Sequence, residues 1–203
     1  MLFKYWVVCF LLFILFIQAR ASSFMPAVTN YLAKDYEAGY QNWACAQGSN
    51  GEMYFGNSQG LLVYDGYRWT LHKVPGNHIV RSVYVKEDRI YVGAFEEFGY
   101  FKYSEAGTLR YHSLSKFLKN FPMENNEIWN IVELDGRIYF QSFSAWFSYD
   151  GKMVHAFRNR QQQPLYFYTQ NGHIYTQMID EDFYEFDGTP KTAKTYNCKL
   201  FII

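Results

Sequence analysis

A short strand motif with tyrosine in its second position occurs four times in this chain, and a repeat of that kind constrains the architecture before anything else does. It reads Met53-Tyr54-Phe55-Gly56, Ile90-Tyr91-Val92-Gly93, Ile138-Tyr139-Phe140-Gln141 and Ile174-Tyr175-Thr176-Gln177. The tyrosines stand 37 residues apart (54 to 91), then 48 (91 to 139), then 36 (139 to 175), near the roughly 40 to 50 residues that one propeller blade occupies. An apolar strand and a turn precede each motif: Gly48-Ser49-Asn50-Gly51, Lys86-Glu87-Asp88, Asp135-Gly136 and Asn171-Gly172. Asn-Gly and Asp-Gly supply the positive φ angles of a tight hairpin. A third strand follows at Leu61 to Tyr64, Gly99 to Tyr103, Trp146 to Tyr149 and Phe183 to Phe186. A fourth closes each unit at Trp69 to His72, Leu109 to His112, Met153 to Phe157 and Lys194 to Tyr196. Four strands joined by hairpins make one blade. The chain is therefore read as an all-β propeller segment with blades at 43–72, 80–112, 128–157 and 165–196.

Composition agrees with that reading. Aromatic residues make up 21% of the 203 residues, and such side chains suit a pleated, half-buried surface. The anchor tyrosines are expected to pack between blades. Lysine plus arginine equals aspartate plus glutamate at 19 each, so no net field draws the chain to nucleic acid or an anionic bilayer.

Lys4 precedes an apolar run from Tyr5 to Ile17, and Ala19-Arg20-Ala21 offers small residues where a signal peptidase reads. Residues 1–21 therefore read as a signal peptide, the run being too short for the roughly 20 residues of a bilayer span. Export from the cytoplasm follows, with 22–42 leading into a partial propeller over 43–203. Residues 30–40 are a candidate latch strand for the last blade. Cys45 and Cys198 remain after signal cleavage, and spacing leaves both a bridge and two free thiols open.

In a blade the chain runs alternately down and up, so loops after the second and fourth strands share one rim. Those loops are long and varied here, whereas the others are short turns. Varied loops on a rigid scaffold are where binding usually resides. The candidate ligand contacts are Asn57, Gln59, Glu96, Glu97, Trp146, Asp180 and Glu181, with Arg81 and Trp129 from first strands lining the channel mouth. Aromatic rings beside amides and carboxylates suit a sugar, so a carbohydrate or another small ligand is the expected partner. No catalytic residue, metal site or cofactor is assigned: His72, His78, His112, His155 and His173 lack ligand spacing, and Asp180-Glu181-Asp182 lacks the alternating pattern of a calcium loop. The alternative reading, a secreted propeller hydrolase or lyase acting on carbohydrate, would need carboxylates such as Glu96 and Glu97 to converge.

Asn30-Tyr31, Tyr36, Ala38-Gly39 and Gln41-Asn42-Trp43, followed by Tyr54-Phe55-Gly56-Asn57-x-x-Gly60-Leu61-Leu62-x-Tyr64-Asp65-Gly66, resemble the opening of a two-component regulator propeller. Val92-Gly93-Ala94-Phe95-Glu96-Glu97-Phe98-Gly99-Tyr100-Phe101 is a related stretch in the second unit. The resemblance implies the periplasmic sensing half of a hybrid two-component or membrane-bound transcription regulator, not an enzyme in itself. It also implies a ring of roughly seven blades, then a β-sandwich, a membrane span and an output module. On that basis the chain is expected to be a fragment or truncated product. An open stack would expose a blade face and a strand edge, making a homodimer through propeller edges a candidate partner. Units three and four depart from the pattern, with Gln141 and Gln177 in place of the glycine after the anchor strand.

Overall fold

A computed structural model describes residues 5–6, 26–118, 121–158, 164–178, 183–186, 188 and 194–195. Contacts divide the chain into residues 1–31 and residues 32–203, and the architecture below belongs to the second unit. The expected signal peptide, apart from Tyr5 and Trp6, lies outside the described residues, as do Asp180, Glu181 and Cys198. Among the described residues, no helix is long and apolar enough to cross a membrane.

The described residues form four antiparallel four-stranded sheets, each in chain order. Sheet 1 holds β1 (Asn42–Gln47), β2 (Met53–Asn57), β3 (Gly60–Tyr64) and β4 (Trp69–His72). Sheet 2 holds β5 (Val80–Lys86), β6 (Arg89–Ala94), β7 (Phe98–Tyr103) and β8 (Leu109–Ser113). Sheet 3 holds β9 (Asn130–Leu134), β10 (Arg137–Gln141), β11 (Trp146–Tyr149) and β12 (Val154–Phe157). Sheet 4 holds β13 (Pro164–Gln170), β14 (His173–Met178), β15 (Phe183–Phe186) and β16 (Lys194–Thr195). The hairpins form where the turn residues demand them: Asp135-Gly136 and Asn171-Gly172 both have positive φ at each position, the type I′ geometry that matches strand twist.

The sheets succeed one another about their first strands, with β1 against β5, β5 against β9 and β9 against β13. That places the first strands innermost, as in a propeller. An apolar core fills each interval. Tyr54, Leu61 and Val63 meet Val80, Val92 and Phe101 between sheets 1 and 2. Tyr91 and Phe98 meet Ile131, Phe140 and Phe147 between sheets 2 and 3. Tyr139 and Trp146 meet Phe167, Ile174 and Phe186 between sheets 3 and 4. The anchor tyrosines 54, 91 and 139 thus each occupy a different interval, nearly fully buried. Burying a large side chain of this kind stabilises by about 1.5–3 kcal/mol.

The position after the anchor strand controls how the next sheet docks. At Gly93 a Cβ would come within 2.4 Å of Ile128 and of Ser82 Oγ, so only glycine admits this approach. In sheet 3 the same position is Gln141, and its side chain reaches across instead. Gln141 Nε2 donates to Leu165 O at 2.9 Å, and Phe167 N donates to Gln141 Oε1 at 2.9 Å. The glutamine replaces close packing with a hydrogen-bonded bridge to the next sheet.

The segment before β1 differs from the expected latch strand. Ala33–Tyr36 form a single helical turn, α1. Tyr36 lies 5.5 Å from the Trp69 ring, which itself stacks on Tyr64 at 4.4 Å. Gly39 is tied to Asn57 through both its N–H and its carbonyl. The chain here is held onto sheet 1 by aromatic packing and a buried amide.

Candidate ligand-binding site at the channel mouth

The first strands of sheets 1 and 2 each carry an irregularity near their start, between Asn42 and Ala44 and between Val80 and Ser82. Trp43 and Arg81 are the extra residues. A bulge of this kind re-aims the side chain it carries. Trp129 stands just before β9, where its backbone N–H donates to Gln141 O at 2.8 Å. These three positions precede their anchor tyrosines by 11, 10 and 10 residues, so the repeat brings them to equivalent places at the inner rim.

The outcome is a row of planar groups across three sheets. The Arg81 guanidinium lies 3.8 Å from the Trp43 ring centroid and 4.9 Å from that of Trp129. Phe143 continues the row, its ring 5.7 Å from Trp129 at 32°. Glu127 Oε1 accepts the Arg81 Nε–H at 2.5 Å. The Arg81 and Glu127 side chains are only 14% and 19% exposed, so the ion pair is largely withdrawn from water. Among the described residues, the buried Arg81 Nη1 has no hydrogen-bond partner, and the aromatic faces are its compensation; each such contact is worth about 0.5–2 kcal/mol. The ends of the row remain open, Trp43 at 42% and Phe143 at 47% exposure. Flat aromatic surface beside a fixed ion pair can stack a ring and orient its polar groups.

Further along the inner strands a cleft of about 570 Å³ is lined by Tyr84, Asn130, Glu133, Asp135, Tyr166 and Tyr168, among others. Glu133 anchors one wall: Oε1 accepts from Lys86 Nζ at 2.5 Å and Oε2 from Tyr84 OH at 3.1 Å. The Lys86 ammonium holds the Glu133 carboxyl below the usual range, with the Tyr84 bond adding to it against the opposing effect of burial. Burial, followed by the Glu133 hydrogen bond, pushes Tyr84 up to about 12. Tyr166 and Tyr168 are both exposed, their rings 5.4 Å apart.

The structure corrects two of the expected contacts. Asn57 is fully buried, and its amide is engaged by Gly39, Asn42 and the Gln59 N–H; it fastens the chain and is not open to a ligand. Trp146 is 3% exposed, stacked on Phe157 and edge-on to Phe186 inside the third core. It opens a strand buried on both faces, so the indole goes to the core. Gln59 is exposed in its turn. Glu96 and Glu97 do not converge: Glu96 Oε1 accepts Asn125 N–H at 2.7 Å, while Glu97 Oε1 accepts Tyr111 OH and Ser113 Oγ, both at 2.9 Å on β8. Arg81 and Trp129, the two residues assigned to the channel mouth, lie against each other, the guanidinium 4.9 Å from the indole ring centroid. Trp43, Glu127 and Phe143 escaped the sequence reading, although the offset from the anchor tyrosine marks Trp43 as the partner of Arg81.

No protein-family model matches the sequence, and no curated protein matches it. Solved structures do share the fold. The extracellular domain of the putative one component system BT4673 from B. thetaiotaomicron superposes with a TM-score of 0.55 at 16% identity, over 75% of this chain and 21% of that one. A second structure, described as the extracellular domain of the putative hybrid two component system BT4673, gives 0.55 and 16% over 74% and 20%. The computationally designed Ika8 protein gives 0.53 at 12% identity over 72% of this chain and 45% of that one. The chain thus spans about a fifth of the length of the two extracellular domains. What it shares with them is the fold: successive four-stranded blades of an all-β propeller.

Proposed function

We propose that this chain is the extracytoplasmic, ligand-sensing propeller segment of a signal-transduction or transcription regulator, and that the Trp43–Arg81–Trp129–Phe143 row is its ligand platform. The row carries the proposal. It gathers aromatic faces from sheets 1 and 3 around a nearly buried ion pair whose arginine comes from sheet 2, an arrangement that presents stacking surface at the rim. The shared fold with extracellular domains of putative regulatory systems supports the same reading, as does the export pattern of residues 1–21. Recognition, not catalysis, is the proposed activity, since Glu96 and Glu97 are directed to separate partners. The favoured ligand class is carbohydrate.

The test is titration calorimetry of the mature chain against a panel of oligosaccharides, repeated with Trp129→Ala and Phe143→Ala. At least one saccharide is expected to bind, with affinity reduced tenfold or more in each variant, a loss of about 1.4 kcal/mol. Binding that is indifferent to both substitutions would remove the platform. Fusion of residues 1–30 to a reporter active only outside the cytoplasm checks export separately.

A further inference from the structure

The cleft along β5, β9 and β13 is separate from the aromatic row, although Asn130, which lines it, follows directly on Trp129. Its volume of about 570 Å³ falls in the range of ligand pockets, roughly 300–1,000 Å³. Its walls combine two exposed tyrosine rings with polar groups held in place: Glu133 by Lys86 and Tyr84, and Asn130 by its bonds to Phe167 O and the Ile131 N–H. Among the described residues, the charged side chains lining it are both carboxylates, Glu133 and Asp135, while the neighbouring Lys86 is committed to Glu133. A ring bearing hydroxyl groups can lie on the tyrosines and donate to the carboxylates. An anionic ligand would meet like charge in a partly desolvated space.

We infer that this cleft seats an uncharged sugar unit and that its carboxylates exclude acidic glycans. The inference rests on the ligand-sensing reading above and adds both a second seat and a charge rule.

The experiment is calorimetry on the full chain with maltotriose, cellotriose, xylotriose and digalacturonic acid as probes. The variants are Trp129→Ala, Tyr166→Ala, Tyr168→Ala, Tyr166→Phe and Glu133→Gln, each checked for native circular dichroism. At least one neutral trisaccharide is expected to bind, weakened at least fivefold by Tyr166→Ala or Tyr168→Ala and nearly unchanged by Tyr166→Phe, which keeps the ring. Glu133→Gln is expected to raise affinity for digalacturonic acid at least fivefold, since it removes one carboxylate and frees the Lys86 charge. Neutral binding lost in Trp129→Ala but untouched by all Tyr166 and Tyr168 changes overturns the cleft and leaves the rim platform standing. Tighter binding of digalacturonic acid than of any neutral probe overturns the charge rule. Absence of binding to every probe overturns this inference together with the saccharide platform.

Discussion

The side chain of Gln141 accepts a hydrogen bond from the Phe167 backbone N–H at 2.9 Å, so that a glutamine of one sheet acts as an edge partner for the first strand of the next. Its amide also donates to Leu165 O, and the whole side chain is buried. In the two preceding sheets the same position is glycine, and Val80 of β5 and Ile128, just before β9, pack directly against it.

Gln141→Ala should therefore cost more than the loss of its own contacts. It leaves the Phe167 N–H and the Leu165 carbonyl without this partner, at about 1–3 kcal/mol for each buried group left unsatisfied. Amide hydrogen exchange at Phe167 should accelerate markedly, while amides in sheet 1 keep their protection. Unchanged exchange at Phe167 would contradict the bridge.

Asn57 performs a comparable task at the other end. Its amide satisfies both the N–H and the carbonyl of Gly39 and also contacts Asn42 Oδ1. Asn57→Ala is expected to lower stability by roughly 2–4 kcal/mol, within the range for buried groups deprived of partners. It should also open the segment around Gly39 to limited proteolysis before the rest of the domain. Asn57→Asp tests the polarity, because a carboxylate cannot donate to Gly39 O.

The rim ion pair makes a prediction about coupling. Arg81→Met leaves Glu127 as a mostly buried charge without its cation, and breaking such a pair costs up to roughly 3–5 kcal/mol. The double change Arg81→Met with Glu127→Gln should recover a substantial part of that loss. With Glu127→Gln alone completing the cycle, strictly additive changes in stability would show that the two residues do not interact energetically.

Acid should weaken the domain in two stages. Burial holds the His72 imidazole below its ordinary range, against a smaller opposing pull from Glu52. The unfolded chain therefore takes up the proton first, and this contribution is present above about pH 6.5 and lost as pH falls through the lower folded value. Glu133, held down by Lys86, and Glu52, where burial is outweighed by bonds from Tyr54, Tyr103 and Asn50, follow the carboxylate rule. Their stabilisation is complete above about pH 4.5 and is lost below it. Urea midpoints measured from pH 8 to pH 3 should show both stages, and His72→Gln should flatten the upper one alone.

The blade pattern was legible because it is local: a hairpin turn needs Asn-Gly or Asp-Gly within a few residues, and strand alternation repeats every two. The four sheets accordingly fall where the tyrosine spacing puts them. The candidate site was legible only in part. Arg81 and Trp129 prove to be neighbours, whereas Asn57, taken with its loop, and Trp146, at the start of a third strand, are buried, because packing between sheets and not residue type decides which strand-end side chains face the core. Trp43, Glu127 and Phe143 come from three different stretches of chain and meet only when successive sheets turn about their first strands. What the sequence determined alone was the repeat, its turns and its apolar faces. Tertiary structure decided which side chains share the rim, because that depends on the bulges in β1 and β5 and on whether glycine or Gln141 sets the approach of the next sheet.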